Sequence, residues 1–137
     1  EILFLDEPTD GLDPSSAESI RDVILEERDR GATVFLTTHN MAEADKLSDR
    51  VAFLNRGQIV ALDTPHQLKQ RYGKRTLKVG VSNSEGDLEY REVPLDTPET
   101  PEQIKNLFAN NKVSTVHSEE ATLEDIFIDI TGRGLSE

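Results

Sequence analysis

The sequence predicts an α/β fold in its first half, followed by a small α+β unit. Up to Gly73, short apolar runs alternate with stretches in which apolar residues recur every three or four positions, the pattern of strands followed by amphipathic helices. After Gly73, single apolar and polar residues alternate, as in half-exposed strands, and two further amphipathic stretches follow. We therefore expect two units, residues 1–73 and residues 74–137.

The first unit is predicted to begin with a strand and a capped helix. Residues 2–5 are too short an apolar run for a helix and end at two acids and a proline, which predicts a buried parallel strand. Asp13 followed by Pro14 is typical of a helix start, and Gly31 of a helix end. The elements expected next are a strand at 33–37, a helix at 40–47, a hairpin of strands 51–54 and 58–62, and a helix at 65–72.

The second unit is predicted to have the order ββαβα. Strands at 76–81 and 87–93 are joined by the turn Ser84-Glu85-Gly86, and prolines between 94 and 101 indicate a loop. A helix at 102–110, a strand at 113–117 and a helix at 122–131 complete this unit.

The composition limits the function classes. The chain has 137 residues and a formal net charge of −12, which argues against nucleic acid as a partner because phosphate binding needs a basic surface. It contains no cysteine, which excludes disulfides and thiol chemistry. Its apolar runs are far shorter than the roughly 20 residues of a transmembrane helix.

Two adjacent carboxylates, Asp6 and Glu7, follow the first predicted strand. Ligands of open α/β sheets bind at the carboxyl ends of the strands. One carboxylate there can hold Mg²⁺ or its water, while the other orients or deprotonates a nucleophilic water. The alternative is that the two acids merely end a strand and begin a turn.

Three segments, in this order and spacing, resemble the ATP-binding subunits of ABC transporters. Residues 2–7 (Ile-Leu-Phe-Leu-Asp-Glu) are similar to the Walker B strand of that family, Gly11-Leu12-Asp13 to its D-loop, and Thr37-Thr38-His39 to its switch-histidine segment. The resemblance implies that residues 1–73 are the C-terminal part of a P-loop NTPase domain with a parallel sheet.

The resemblance also implies roles for these residues. Asp6 would hold Mg²⁺ through water, Glu7 would polarise the attacking water, and His39 would contact the γ-phosphate of ATP. The nucleotide and its metal would be contacted by Asp6, Gly11, Leu12 and Asp13. Asp13 would also lie at the interface between two subunits. The alternative for His39 is a structural hydrogen-bonding role, and Asp13 is also expected to cap its helix.

Three motifs of the family do not occur in this sequence, and one of them is its Gln loop. There is no Gly-x-x-x-x-Gly-Lys-[Ser/Thr] phosphate loop and no Leu-Ser-Gly-Gly-Gln-like signature. We therefore expect the chain to be a fragment of an ATP-hydrolysing subunit that is inactive alone. The resemblance implies a second ATP-binding subunit, with a homodimer favoured, and a location at the inner face of the cell membrane.

The tail carries a second resemblance. Residues 122–127 (Thr-Leu-Glu-Asp-Ile-Phe), after a ββαβ stretch, are similar to the accessory C-terminal domain of drug- and antibiotic-export ATPases. That resemblance implies a membrane permease of the ABC-2 type as partner. The apolar residues of this stretch also form a core-facing stripe.

A non-catalytic alternative remains open: an interaction module that acts by self-association or by docking of its C-terminal domain. In related ATPases the phosphate-loop strand would lie between the strands at 33–37 and 51–54, so we expect unpaired edges there that pair with another chain. Of the other histidines, His66 is expected at the surface and His117 at a strand end. The basic residues near Gly73 are interpreted as a solvated helix end rather than a membrane-facing patch; they are Lys69, Arg71, Lys74 and Arg75.

Overall fold

The computed structural model describes residues 1–82 and 86–132 and has an α/β fold over these ranges. The described residues form seven strands and five helices. In chain order they are β1 Ile2–Asp6, α1 Pro14–Asp29, β2 Thr33–Thr37, α2 Met41–Leu47, β3 Val51–Asn55, β4 Gln58–Asp63, α3 Pro65–Tyr72, β5 Arg75–Ser82, β6 Leu88–Pro94, α4 Thr100–Asn110, β7 Lys112–Glu120 and α5 Leu123–Thr131.

The predicted order of elements is confirmed, including ββαβα after Gly73. The prediction that His117 ends its strand is wrong. β7 continues to Glu120 because its pairing with β5 extends that far, with Glu120 opposite Arg75. Apart from Gly86, the predicted turn Ser84-Glu85-Gly86 lies outside the described residues.

The strands of the described residues fall into three small sheets. β1 and β2 pair in parallel, β3 and β4 form an antiparallel hairpin, and β6, β5 and β7 form an antiparallel sheet in that order. In this part of the chain β2 and β3 do not pair with each other, as the sequence predicts. None of the described helices has the length and apolar character needed to cross a membrane.

The prediction that the first strand is buried is wrong. Ile2 and Phe4 are 63% and 71% exposed, and Phe35 of β2 lies beside Phe4 with ring centroids 5.7 Å apart. Alternate residues of a strand face opposite sides. Leu3 and Leu5, on the other side, line a cavity with residues of α1. The described chain thus covers one face of this sheet with α1 and leaves the other exposed.

The main hydrophobic core draws on both sides of Gly73. It consists of Ala44, Val51, Phe53, Ala61, Leu68, Leu123, Ile126 and Phe127. The rings of Phe53 and Phe127 meet edge to face with centroids 5.4 Å apart, a favourable aromatic geometry. Helix α5 therefore packs against α2, the β3–β4 hairpin and α3. The division into units at Gly73 remains a prediction.

Candidate functional site

The carboxyl ends of β1 and β2 bring the predicted acidic residues to one sheet edge. In the parallel register Asp6 lies opposite Thr37, whose hydroxyl donates a hydrogen bond to Asp6 Oδ1. The backbone N–H of Glu7 donates to the carbonyl of Thr37 over 2.8 Å. Strand pairing thus fixes where both carboxylates leave the sheet.

Glu7 and His39 are in direct contact across this edge. The backbone nitrogen of His39 and its ring nitrogen Nδ1 each lie 2.9 Å from Glu7 Oε1. Glu7 has φ +44°, a left-handed conformation that is uncommon for a residue with a side chain and that recurs at functional sites. The turn it produces follows directly on β1.

The contact determines the protonation of the imidazole. An ionised carboxylate only accepts hydrogen bonds, so His39 Nδ1 must carry the proton that faces Glu7. The hydrogen bond that His39 donates to Glu7, and then the attraction of the Glu7 charge, raise the pKa of His39, with Asp10 and Glu43 adding smaller contributions. The side chain of His39 is 63% exposed, so the ring remains accessible from solvent.

We expect Glu7→Gln to lower the pKa of His39 toward the ordinary value of 6.5, because the neutral amide removes the attracting charge. A raised folded-state pKa means that the contact stabilises the fold fully below the unfolded value of about 6.5 and loses this contribution as the pH rises through the folded-state value. An NMR titration of the imidazole C–H signals measures the change, with the exposed His66 as internal reference. An unaltered His39 pKa in the variant would contradict the contact.

The residues of the D-loop resemblance lie in the turn between this edge and α1. Gly11 has φ +72°, and Leu12 is partly exposed. Asp13 accepts hydrogen bonds from the backbone N–H groups of Ser15 and Ser16 at 3.1 Å and from the Ser16 hydroxyl at 2.6 Å. The bond from the Ser16 hydroxyl is the main cause that holds the pKa of Asp13 below its ordinary value. The predicted helix cap is confirmed, whereas the predicted subunit interface stays a prediction.

Glu43 belongs to this site although the sequence does not point to it. Its carboxylate is almost fully buried and accepts hydrogen bonds from Thr9 Oγ1 at 2.5 Å and Thr38 Oγ1 at 3.1 Å. The sequence marks Glu43 in one way, as an acid three residues after the helix-capping Asn40. That spacing is typical of a capping box, in which the acid is exposed. The backbone N–H of Glu43 does donate to Asn40 Oδ1 as in such a cap, but the side chain of Glu43 is buried.

The donor set suits a magnesium ion held through water. The described residues contain no group of three or more His, Cys, Asp or Glu that could enclose a metal. Asp6 offers one exposed carboxylate beside a hydroxyl. Mg²⁺ keeps several waters and is commonly held by one or two carboxylates together with substrate phosphates, so Asp6 fits this role.

The basic residues near Gly73 each have an acidic partner, which neither interpretation of the sequence anticipated. The ion pairs are Lys69 with Asp45 at 2.5 Å, Arg71 with Asp63 at 3.2 Å, Lys74 with Asp129 at 2.8 Å and Arg75 with Asp96 at 2.5 Å. Local neutralisation weakens any attraction of this patch to an anionic membrane.

Comparison with known proteins gives matches to ATP-binding proteins. Residues 1–45 match a family described as an AAA domain, putative AbiEii toxin, type IV TA system. A fluoroquinolones export ATP-binding protein of Mycobacterium tuberculosis is 47% identical over 136 residues, which are 99% of this chain and 45% of that protein. A daunorubicin/doxorubicin resistance ATP-binding protein of Streptomyces peucetius is 39% identical over 89 residues, 65% of this chain and 27% of that protein.

The matches extend to eukaryotic proteins. ATP-binding cassette sub-family A member 17 of Mus musculus is 34% identical over 145 aligned positions, which cover 99% of this chain and 8% of that protein. The chain spans about half the length of the mycobacterial relative and smaller shares of the others. The similarity covers both halves of the chain and confirms the resemblance carried by its motifs: the homologues of this chain are ABC transporter ATP-binding proteins.

Proposed function

We propose that this chain supplies the water-activating part of an ATPase that drives transport across a membrane. The observation that carries the proposal is the contact between Glu7 and His39 at the carboxyl edge of the β1–β2 sheet. Phosphoryl transfer depends on positioning and on charge stabilisation more than on covalent help from the protein. A carboxylate joined to an imidazole at a sheet edge provides both.

Glu7 is the residue that orients the attacking water and accepts its proton. His39 donates two hydrogen bonds to Oε1, which hold that oxygen in place. The other oxygen, to which no residue of the described ranges donates, is the one available to a water molecule. A carboxylate within hydrogen-bond reach of the nucleophile is the geometry of a general base.

His39 is the residue that contacts the terminal phosphate. Because Nδ1 faces Glu7, the opposite ring nitrogen Nε2 faces away from the carboxylate and can hydrogen-bond a phosphate oxygen. The raised pKa favours the doubly protonated ring, in which both nitrogens donate. Asp6 would hold Mg²⁺ through water, and the ion would neutralise charge on the phosphates.

We infer that hydrolysis requires more sequence than this chain contains. The chain has neither a phosphate loop nor the family signature, and it spans 45% of the mycobacterial relative. The test is Mg-ATP titration by calorimetry with a phosphate-release assay, on this chain and on an ATP-binding protein of the relatives' length that contains it. We expect binding and turnover in the longer protein alone; no turnover there would contradict the proposed function.

The coupled process that we propose is export through a membrane permease. Two relatives are named for fluoroquinolone export and for daunorubicin/doxorubicin resistance, which supports export of a drug-like compound. On this proposal the ATP-binding subunit pairs with a second copy and with an ABC-2 type permease at the inner face of the membrane. Residues 74–137 would form the accessory domain, attached to the first unit through α5.

A second candidate, self-association of this chain, is favoured by the exposed apolar face of Ile2, Phe4 and Phe35. Large exposed apolar patches and unpaired strand edges mark association surfaces. We expect dimers or larger species in light scattering at tens of micromolar, and we expect Phe4→Asp to reduce them. Phe108→Asp, at an exposed phenylalanine on α4, is the matched control. A clean monomer would argue against this candidate.

A further inference from the structure

We propose that Glu43 is a positioning residue that holds the segments carrying Glu7 and His39 in the geometry of their mutual contact. Its importance for ATP hydrolysis rests on the proposed function, but the contacts that carry it are independent of any nucleotide. Glu43 lies on α2, outside the motifs of the resemblance.

The two oxygens of the Glu43 carboxylate are divided between the two segments. Oε1 accepts from the hydroxyl of Thr9, two residues after Glu7, and Oε2 accepts from the hydroxyl of Thr38, directly before His39. Each segment contributes one donor to the same rigid group. The distance between the segments is therefore fixed by the width of one carboxylate.

Thr38 transmits this restraint to His39. Its hydroxyl accepts a hydrogen bond from the backbone N–H of Asn40 at 3.0 Å, so its single proton is directed to Glu43. Thr38 and Asn40 flank the residue whose backbone N–H and ring both donate to Glu7. Glu43 is therefore connected to Glu7 in two ways. One connection runs through Thr38 and His39, and the other runs through Thr9.

The burial of Glu43 is difficult to explain without such a role. Removing a carboxylate from water is costly unless it is paired and hydrogen-bonded. The guanidinium of Arg21 on α1 lies 3.6 Å from Glu43 Oε1 through Nε and offsets the charge. That Nε is buried and makes no hydrogen bond in the described structure. The ion pair between Arg21 and Glu43 therefore lacks a direct hydrogen bond through Nε. The two threonines are the better-placed partners.

The test is an NMR titration of His39 in three forms of the 137-residue chain: the parent, the Glu43→Ala variant and the Glu43→Gln variant. Both variants remove the charge, but the amide of glutamine can still bond to both threonine hydroxyls. We expect Glu43→Ala to lower the His39 pKa to that of the Glu7→Gln chain, and Glu43→Gln to retain nearly the parent value. A difference between alanine and glutamine reports position rather than charge.

Two outcomes would overturn the proposal: an unchanged His39 pKa in a folded Glu43→Ala chain, or equal shifts in the two variants. If Glu43→Ala does not fold, the variants Thr9→Val and Thr38→Val test the proposal instead. Each keeps the charge of Glu43 and removes one hydroxyl that donates to it. We expect each to lower the His39 pKa, and unchanged values in both would also overturn it. The NMR titration of His39 is made without nucleotide. A failure of hydrolysis in the longer protein would therefore contradict the proposed function but would leave the titration result intact.

Discussion

Glu7→Gln is expected to slow ATP hydrolysis roughly a hundredfold or more in an ATP-binding protein that contains this chain, while ATP binding is retained. The amide has the size of the carboxylate and its oxygen can still accept from the backbone of His39. It cannot take a proton from water, so only the chemical step is affected. Single-turnover phosphate release measures the rate, and nucleotide titration measures binding.

The matched control for this prediction is Glu26→Gln, the same chemical change on the exposed surface of α1, away from the site. It should hydrolyse ATP at the parent rate. Near-parental hydrolysis by Glu7→Gln would remove Glu7 from the role of general base. A loss of binding in that variant would point instead to a structural role of the Glu7–His39 contact.

Leu123→Ala is expected to lower the free energy of unfolding by about 2–5 kcal/mol. Leu123 is 1% exposed and belongs to the core that α5 shares with the first unit. Deleting a buried isobutyl group removes its transfer free energy and leaves a cavity. Domains of this size have only about 5–15 kcal/mol of stability, so the loss is a large fraction of the total. Urea unfolding followed by circular dichroism measures it.

Leu54→Ala is the control, since it makes the same deletion at a side chain that is 63% exposed. Its effect should stay within about 0.5 kcal/mol. If both leucine variants lower the free energy of unfolding by the same amount, Leu123 is not buried in the core in solution. If Leu123→Ala unfolds only residues 74–137, α5 does not join the two units.

The sequence predicts local structure well because the signals for it are local. Asp13 and Pro14 begin α1 as predicted, since a cap depends on neighbouring residues alone. The approach of Glu7 to His39 could be anticipated only in outline, from two strands ending at one edge and from the resemblance. The two hydrogen bonds from His39 to one oxygen of Glu7, and the left-handed backbone of Glu7, depend on the exact pairing of the strands.

Burial could not be predicted in the same way, because it depends on what covers a residue. Ile2 and Phe4 have the composition of a buried strand, yet nothing in the described structure packs on their face. Glu43 is the reverse case, an acid whose residue type predicts exposure. Its burial follows from Thr9, Thr38 and Arg21, which lie far from it in sequence or on other elements.

The shared core also sets an order of events during synthesis. Phe53 leaves the ribosome long before Phe127, its edge-to-face partner, has been translated. Throughout that interval the apolar face of the β3–β4 hairpin has no α5 to cover it. Contacts between distant parts of a chain form late, and exposed apolar surface meanwhile favours aggregation. Helix α5, which emerges after the hairpin, therefore closes this core, and a chain released before α5 would leave Phe53 and Leu68 uncovered.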